Sequence, residues 1–236
     1  SGLGTRGMLY AGITGLGIED TVRNARWAAE DGADVGVLMA PFFLWISQPQ
    51  LQAFARAVAD ASPLPIALYH HQRAATAFDI GTITELARHP NIVAMKDTSN
   101  DIVRFRTLLA NTQDADFSLF QGHEARIGES FEAGACGCVS ALSAVMPEWY
   151  VEALAAAQAG EHDVVARMQK KIDDLMQIWA HPTVTTSISG FTRAVKLGLR
   201  ARGWLENLDD ILPGLPADPA FERAVRQTLE HCGVKA

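Results

Sequence analysis

A parallel barrel built from repeated βα units is the fold this sequence predicts. Three observations carry it: six short apolar runs, helical patterns between them, and chemically active side chains at the ends of two successive runs. The runs are Met8–Ile13, Val35–Ala40, Pro65–Tyr69, Ile92–Lys96, Phe117–Gln121 and Gly137–Ser140. They lie roughly 20 to 30 residues apart, the rhythm of strand, crossover helix and strand. Continuous apolar runs of this length suit strands buried in a parallel sheet.

Taken in order, the first run leads into Gly12-Ile-Thr14-Gly-Leu-Gly17. This turn loosely resembles a dinucleotide glycine motif, but no acidic ribose partner follows at the right strand end. Gly32 stops the next helix ahead of Val35–Ala40. Pro63 and Pro65 bound the third run, which ends in the acid/base hydroxyl of Tyr69. The fourth run, Asn91-Ile-Val-Ala-Met-Lys96, ends in an amine. On a two-residue period Tyr69 shares a face with Ala67 and Lys96 with Ala94, so small side chains lie beneath both functional groups. Asp101 or Asn100 can cap a helix with Ile102, Phe105 and Leu109 on one face, and Gly134 stops a later one. From Pro147 the pattern changes to helices without strands: Pro147–Ala159, Glu161–Trp179, Gly190–Gly203 and Asp218–Cys232, with proline-containing links at Pro182 and from Pro213 to Pro219.

Lys96 is the residue on which function turns. A lysine with a pKa near 10.4 is about 0.04% neutral at pH 7, and burial can lower that pKa by several units, at about 1.4 kcal/mol each. A neutral amine can form a Schiff base with a carbonyl. Against this stand two plainer readings, a lysine snorkelling into solvent and a core tyrosine with a hydrogen-bonded hydroxyl.

The linked motifs resemble the dihydrodipicolinate synthase and N-acetylneuraminate lyase family, class I aldolases with a TIM (β/α)8 barrel and a lysine imine. Ala40-Pro-Phe-Phe43 resembles that family's loop after strand four, and Leu68-Tyr69 with Arg73 and Thr76 its tyrosine segment. Pro90-Asn-Ile-Val-Ala-Met-Lys-Asp-Thr-Ser99 resembles its Schiff-base strand, the most specific of the matches. Gln121-Gly-His-Glu124 resembles the strand-seven turn, and Gly137-Cys-Val-Ser140 the strand-eight segment whose backbone lies beside the bound oxo acid. The resemblance covers nearly the whole chain. It implies Lys96 as the imine-forming residue, Tyr69 as proton shuttle, and Arg73, Val139 and Phe43 as substrate-binding positions. An arginine fork suits a carboxylate because it binds two oxygens.

Departures from the family pattern shape the expectation. Phe42-Phe43 stands where dihydrodipicolinate synthases usually carry tyrosines, which removes a hydroxyl that joins the proton relay across a subunit boundary. The segment from Tyr69 to Thr76 differs by a residue in length from the family's arginine loop. Of His70 and His71, at most one faces the site, since adjacent strand-end residues point oppositely. His123 and Glu124 read as a polar pair at a helix start or as substrate contacts. The opening Ser1–Arg6 leads into the family's third strand, so two βα units have no counterpart and the eight-stranded barrel is two strands short. A stable form is expected to retain those units physically or to associate through the gap.

One domain is expected, with residues 1–146 as barrel units of strands three to eight and 147–236 as the last barrel helix and C-terminal helices. Its 236 residues are 48% hydrophobic and can bury a single core. A net charge of −7 without basic clusters excludes nucleic acid as a natural partner, and no apolar stretch approaches a membrane span. A cytoplasmic homotetramer or dimer is expected by default and by resemblance. Cys136, Cys138 and Cys232 lack metal spacing, and no cofactor or metal is expected. The function read from all this is a lyase or aldolase of pyruvate or a related 2-oxo acid, acting through a lysine imine, with dihydrodipicolinate synthesis one version of it. The alternatives are a metal-dependent aldolase, which lacks a convergent ligand set because Asp97 alternates to the face opposite Lys96 and Glu124 has no acidic mate, and a noncatalytic barrel that binds metabolites or serves assembly.

Overall fold

Alternating strands and helices form as the apolar rhythm requires. The computed structural model describes residues 7–186, 188–209 and 218–234, side chains at 185 and 186 aside. Ser1–Arg6 and residues 213–217 of the second proline-containing link lie outside the described residues. Six strands, β1 (Tyr10–Gly12), β2 (Val35–Met39), β3 (Ile66–His70), β4 (Ile92–Asp97), β5 (Ser118–Gln121) and β6 (Gly137–Cys138), make one sheet in sequence order, every pair parallel. Four strands, β1, β2, β5 and β6, are shorter than their apolar runs, and at β1 and β5 the late start has a local reason. Leu9 N–H donates to Asp34 Oδ2 at 2.7 Å, and Phe117 N–H to the Ala115 carbonyl at 2.9 Å, so neither amide enters the ladder.

Side-chain alternation sets the two faces of the sheet. Leu68 pairs with Met95, and both are fully buried; burial of such a side chain contributes about 1.5–3 kcal/mol. On the other face Ala67 pairs with Ala94, and one step further Tyr69 pairs with Lys96. Val35, Ala67 and Ala94 form a small buried cluster on which Val93 and Phe120 pack.

Helix boundaries follow capping chemistry. Between β1 and β2 lies α1 (Ile18–Glu30), followed by Gly32 at φ +85°. Ser47 and Gln50 form a capping box at the start of α2 (Gln48–Ala61). Asp79 caps α3 (Ile80–Leu86) through Thr82 N–H at 2.6 Å. At α4 (Ile102–Thr112) the cap is Asp101, which accepts from Val103 and Arg104 N–H, both at 3.0 Å. Asn100 instead takes the left-handed conformation at φ 58°, which asparagine tolerates. The buried side of α4 is Phe105 and Leu108, with Ile102 and Leu109 only half-buried, so the stripe is turned by one residue from the expected one. Gly134, at φ +103°, follows α5 (Ile127–Glu132) as expected.

The chain forms two compact units. One runs up to His123 and takes in Ala133–Cys138, so it holds the whole sheet; the other holds Glu124–Glu132 and the described residues from Val139 onward. The second unit is helical, with α6 (Pro147–Ala159), α7 (His162–Leu175), α8 (Pro182–Thr186), α9 (Ile188–Ala201) and α10 (Pro219–His231) after α5. Gly198 lets α9 approach Val145 closely: a β-carbon there would stand 2.8 Å from a valine methyl. Asp218 caps α10 through Ala220 and Phe221 N–H. Among the described residues no helix is long and apolar enough to cross a membrane.

Candidate active site

Tyr69 and Lys96 are the penultimate residues of β3 and β4 and face each other across the ladder. Lys96 Nζ lies 4.2 Å from the centroid of the tyrosine ring. Both side chains are half-buried, above Ala67 and Ala94. Carboxyl ends of parallel strands are where α/β folds place their chemistry, because loops there can vary without disturbing the sheet.

The next strand supplies room. A β-carbon on Gly122, just after β5, would stand 2.8 Å from Lys96 Cε, 2.3 Å from Thr98 Oγ1 and 3.0 Å from the Asp97 carbonyl. The lysine therefore passes through space that only glycine leaves open. Gly122 N–H donates to the Asp97 carbonyl at 2.7 Å, and Gln121 Oε1 accepts from Gly122 and His123 N–H at 2.9 and 2.8 Å. The Thr98 hydroxyl is buried beside this turn without a hydrogen-bond partner among the described residues.

The two histidines divide as alternation requires. The His71 ring meets Tyr69 edge-on, with centroids 5.9 Å apart, and its Nδ1 accepts from Arg73 N–H at 3.1 Å. Burial first, then the charges of Arg73 and Lys96, hold its pKa below the ordinary imidazole value. His70 is buried, pairs in register with Asp97 and lies within reach of Arg104, whose terminal nitrogen is 3.3 Å from its Nδ1. Its pKa is lowered too, chiefly by burial and then by Arg104, against an upward pull from Asp97.

Asp97, 1% exposed, accepts from Arg104 Nε at 2.9 Å and from Ser99 N–H at 2.7 Å. Arg104 also donates to the Phe78 carbonyl at 2.9 Å. Neither Arg104 nor the clearance at Gly122 was indicated by sequence reasoning. A buried carboxylate demands a partner, so Asp97 on the apolar far face was the one signal pointing to a cation nearby.

The substrate-binding candidates occupy loops. Arg73 is exposed in the segment after β3. Phe43 is 92% exposed with φ 68°, in the loop after β2 that Thr76 pins: its hydroxyl lies 3.0 Å from both Ile46 N and O. The side chain of Gln72 donates to the Ser99 carbonyl, joining the loops after β3 and β4. Val139 follows β6 in the second unit and is 49% exposed. Within that unit Glu124 is buried at the start of a single 3-10 turn, Glu124–Arg126, as the helix-start reading has it, and its Oε1 accepts from Ala141 and Leu142 N–H at 2.8 and 3.2 Å. No cluster of three metal-ligating side chains occurs among the described residues.

Comparison with known proteins shows the family. The Dihydrodipicolinate synthetase family matches residues 3–232. The 4-hydroxy-tetrahydrodipicolinate synthase 1 of Streptomyces coelicolor is 34% identical over 176 residues, which is 74% of this chain and 57% of that protein. The corresponding synthase of Exiguobacterium sp. is 33% identical over 96% of this chain and 74% of its own. The chain thus spans little more than half of the first relative and about three quarters of the second. An N-acetylneuraminate lyase of Rhizobium meliloti is 26% identical over 72% of this chain and 56% of that protein. Among solved structures, dihydrodipicolinate synthase from Bacteroides thetaiotaomicron has a TM-score of 0.87 at 25% identity, covering 97% of this chain and 76% of the other. The Escherichia coli K12 prophage protein YagE, described in complex with pyruvate, has a TM-score of 0.88 at 21% identity, covering 98% and 77%.

Proposed function

Because the chain belongs to the dihydrodipicolinate synthetase family, we propose that it is a Schiff-base-forming lyase or aldolase acting on pyruvate or a related 2-oxo acid. The observation that supports this most is the Lys96 amine set against the Tyr69 ring at neighbouring strand ends. The free amine of Lys96 attacks the ketone carbon while the carbonyl oxygen takes a proton, giving a carbinolamine. Tyr69 supplies and recovers protons in this step. Loss of the hydroxyl as water leaves an iminium, whose nitrogen accepts an electron pair when a C3 proton departs or when the C3–C4 bond breaks. In condensation the resulting enamine carbon attacks an aldehyde carbonyl. Hydrolysis of the final iminium returns Lys96.

Arg73 and Phe43, in the loops after β3 and β2, belong to this proposal as substrate contacts. So do cytoplasmic placement and homo-oligomeric assembly, as a dimer or tetramer. The relatives' names favour condensation toward 4-hydroxy-tetrahydrodipicolinate, while phenylalanines at 42 and 43 favour another aldehyde. Incubating the protein with pyruvate and a panel of aldehydes, aspartate semialdehyde included, tests the reading. Pyruvate consumption that is abolished in Lys96→Ala supports it. Pyruvate left unchanged with every aldehyde, and no pyruvate released from the corresponding aldols, overturns it.

A further inference from the structure

We propose that Arg104 is a positioning residue that fixes the separation of Tyr69 and Lys96 by holding together the residues that follow each of them. The inference rests on the Schiff-base reading for its catalytic consequence. Its geometric part stands by itself.

Tyr69 and Lys96 are each one residue from the end of their strands, where the regular ladder runs out. The residues that complete the strands, His70 and Asp97, point to the opposite face and are 5% and 1% exposed. One guanidinium, brought there by the first turn of α4, reaches a side-chain group of each, Asp97 Oδ2 at 2.9 Å and His70 Nδ1 at 3.3 Å, and also the Phe78 carbonyl at 2.9 Å. The backbone adds Thr98 N–H to the His70 carbonyl at 3.2 Å. A planar fork with fixed donors makes this arrangement rigid where a lysine would be a mobile point charge. Strand β3, strand β4 and the loop after β3 are therefore tied to one side chain behind the reacting groups. A displacement of about 1 Å at such groups costs about 100-fold in rate.

The clamp also has a protonation requirement. Facing His70 are Arg104 from α4, Asp97 from β4, the neighbouring His71 and the Phe78 carbonyl. Nδ1 accepts from Arg104 only while unprotonated, since imidazolium offers two donors and no acceptor. Protonated His70 repels the guanidinium and releases β3 from the clamp. Asparagine at 70 presents an amide oxygen near the Nδ1 position and does not titrate.

The test uses the full chain carrying 13C-labelled lysine. The Lys96 Cε signal, assigned by its loss in Lys96→Ala, is displaced by the Tyr69 ring current, and the rate of pyruvate adduct formation under borohydride is measured alongside. Arg104→Lys is expected to relax the displacement and to slow trapping by about 10-fold or more while the melting temperature shows a folded protein. In the wild type the displacement is expected to relax as pH falls below the ordinary imidazole range; in His70→Asn it stays constant and trapping stays near the wild-type rate. If Arg104→Lys does not fold, the His70→Asn pH profile decides alone. A displacement unchanged in Arg104→Lys, or a His70→Asn profile identical to the wild type, overturns the proposal. A wild type that traps no pyruvate refutes the Schiff-base reading for pyruvate, and the ring-current measurement still decides the clamp.

Discussion

Lys96 Nζ rests 4.2 Å from the centre of the Tyr69 ring, on strands held in register two residues deeper by Ala67 and Ala94. An amine over an aromatic face is favoured electrostatically when charged and loses little when neutral. The ring thus serves as a seat for the amine, and the hydroxyl at its edge is the group available to the reacting carbonyl.

Seat and hydroxyl can be separated. Tyr69→Phe keeps the ring and removes the proton donor, so pyruvate trapping at Lys96 is expected to slow by about 10²–10⁴, the range of a general acid–base contribution. Tyr69→Leu removes both, and it should also shift the Lys96 Cε signal where Tyr69→Phe does not. Equal trapping rates for wild type and Tyr69→Phe would remove Tyr69 from the relay.

Gly122 is a matter of clearance. A methyl group at 122 meets Lys96 Cε at 2.8 Å and the Asp97 backbone oxygen at 3.0 Å. The lysine tail can yield and the backbone cannot, so Gly122→Ala is expected to destabilise by about 1–3 kcal/mol, as overpacking does. Urea titration reads that loss, and borohydride trapping slows because Lys96 has been pushed from the tyrosine. An alanine variant with unaltered midpoint and rate would show that the turn has slack.

The pH dependence of stability follows from the two histidines. Both have folded-state pKa values below the ordinary one, His70 through burial and then Arg104, His71 through burial and then Arg73 and Lys96. As pH falls through the ordinary imidazole value, near 6.5, the unfolded chain takes up these protons before the folded chain does. Their contribution is therefore complete above that value and is lost as pH falls through the folded values. Melting temperatures recorded from pH 8 down to 5 should decline on the acid side, less steeply in His70→Asn. A rise in stability over that interval would reverse the assignment.

Phe43 holds a left-handed backbone conformation with almost its whole side chain in solvent. For a bulky residue this strain amounts to about 1–3 kcal/mol. Phe43→Gly is expected to raise the melting temperature while raising the KM for the aldehyde or aldol substrate, if the ring contributes to binding as proposed. Higher stability with an unchanged KM would leave Phe43 out of the site.

Much of the first unit was legible because its signals are local. Apolar runs placed all six strands, and alternation put Ala67 under Tyr69, Ala94 under Lys96 and Asp97 on the far face. Gly32 and Gly134 announced left-handed turns that are present. The network at Arg104 was not legible, since it depends on the rotation of α4 about its axis and on the lateral match of β3 with β4. The clearance at Gly122 likewise arises from the packing of β5 beside β4. Both are set by tertiary register, which a single sequence records only as one arginine and one glycine among many.

The most direct measurement is the intact mass of the protein after pyruvate and borohydride, followed by peptide mapping, with Lys96→Ala treated in parallel. The predicted result is a single reduced pyruvate adduct on Lys96, absent from the variant. An unmodified wild-type mass, or an adduct of equal yield in Lys96→Ala, would contradict a Lys96 imine with pyruvate as the basis of this protein's activity.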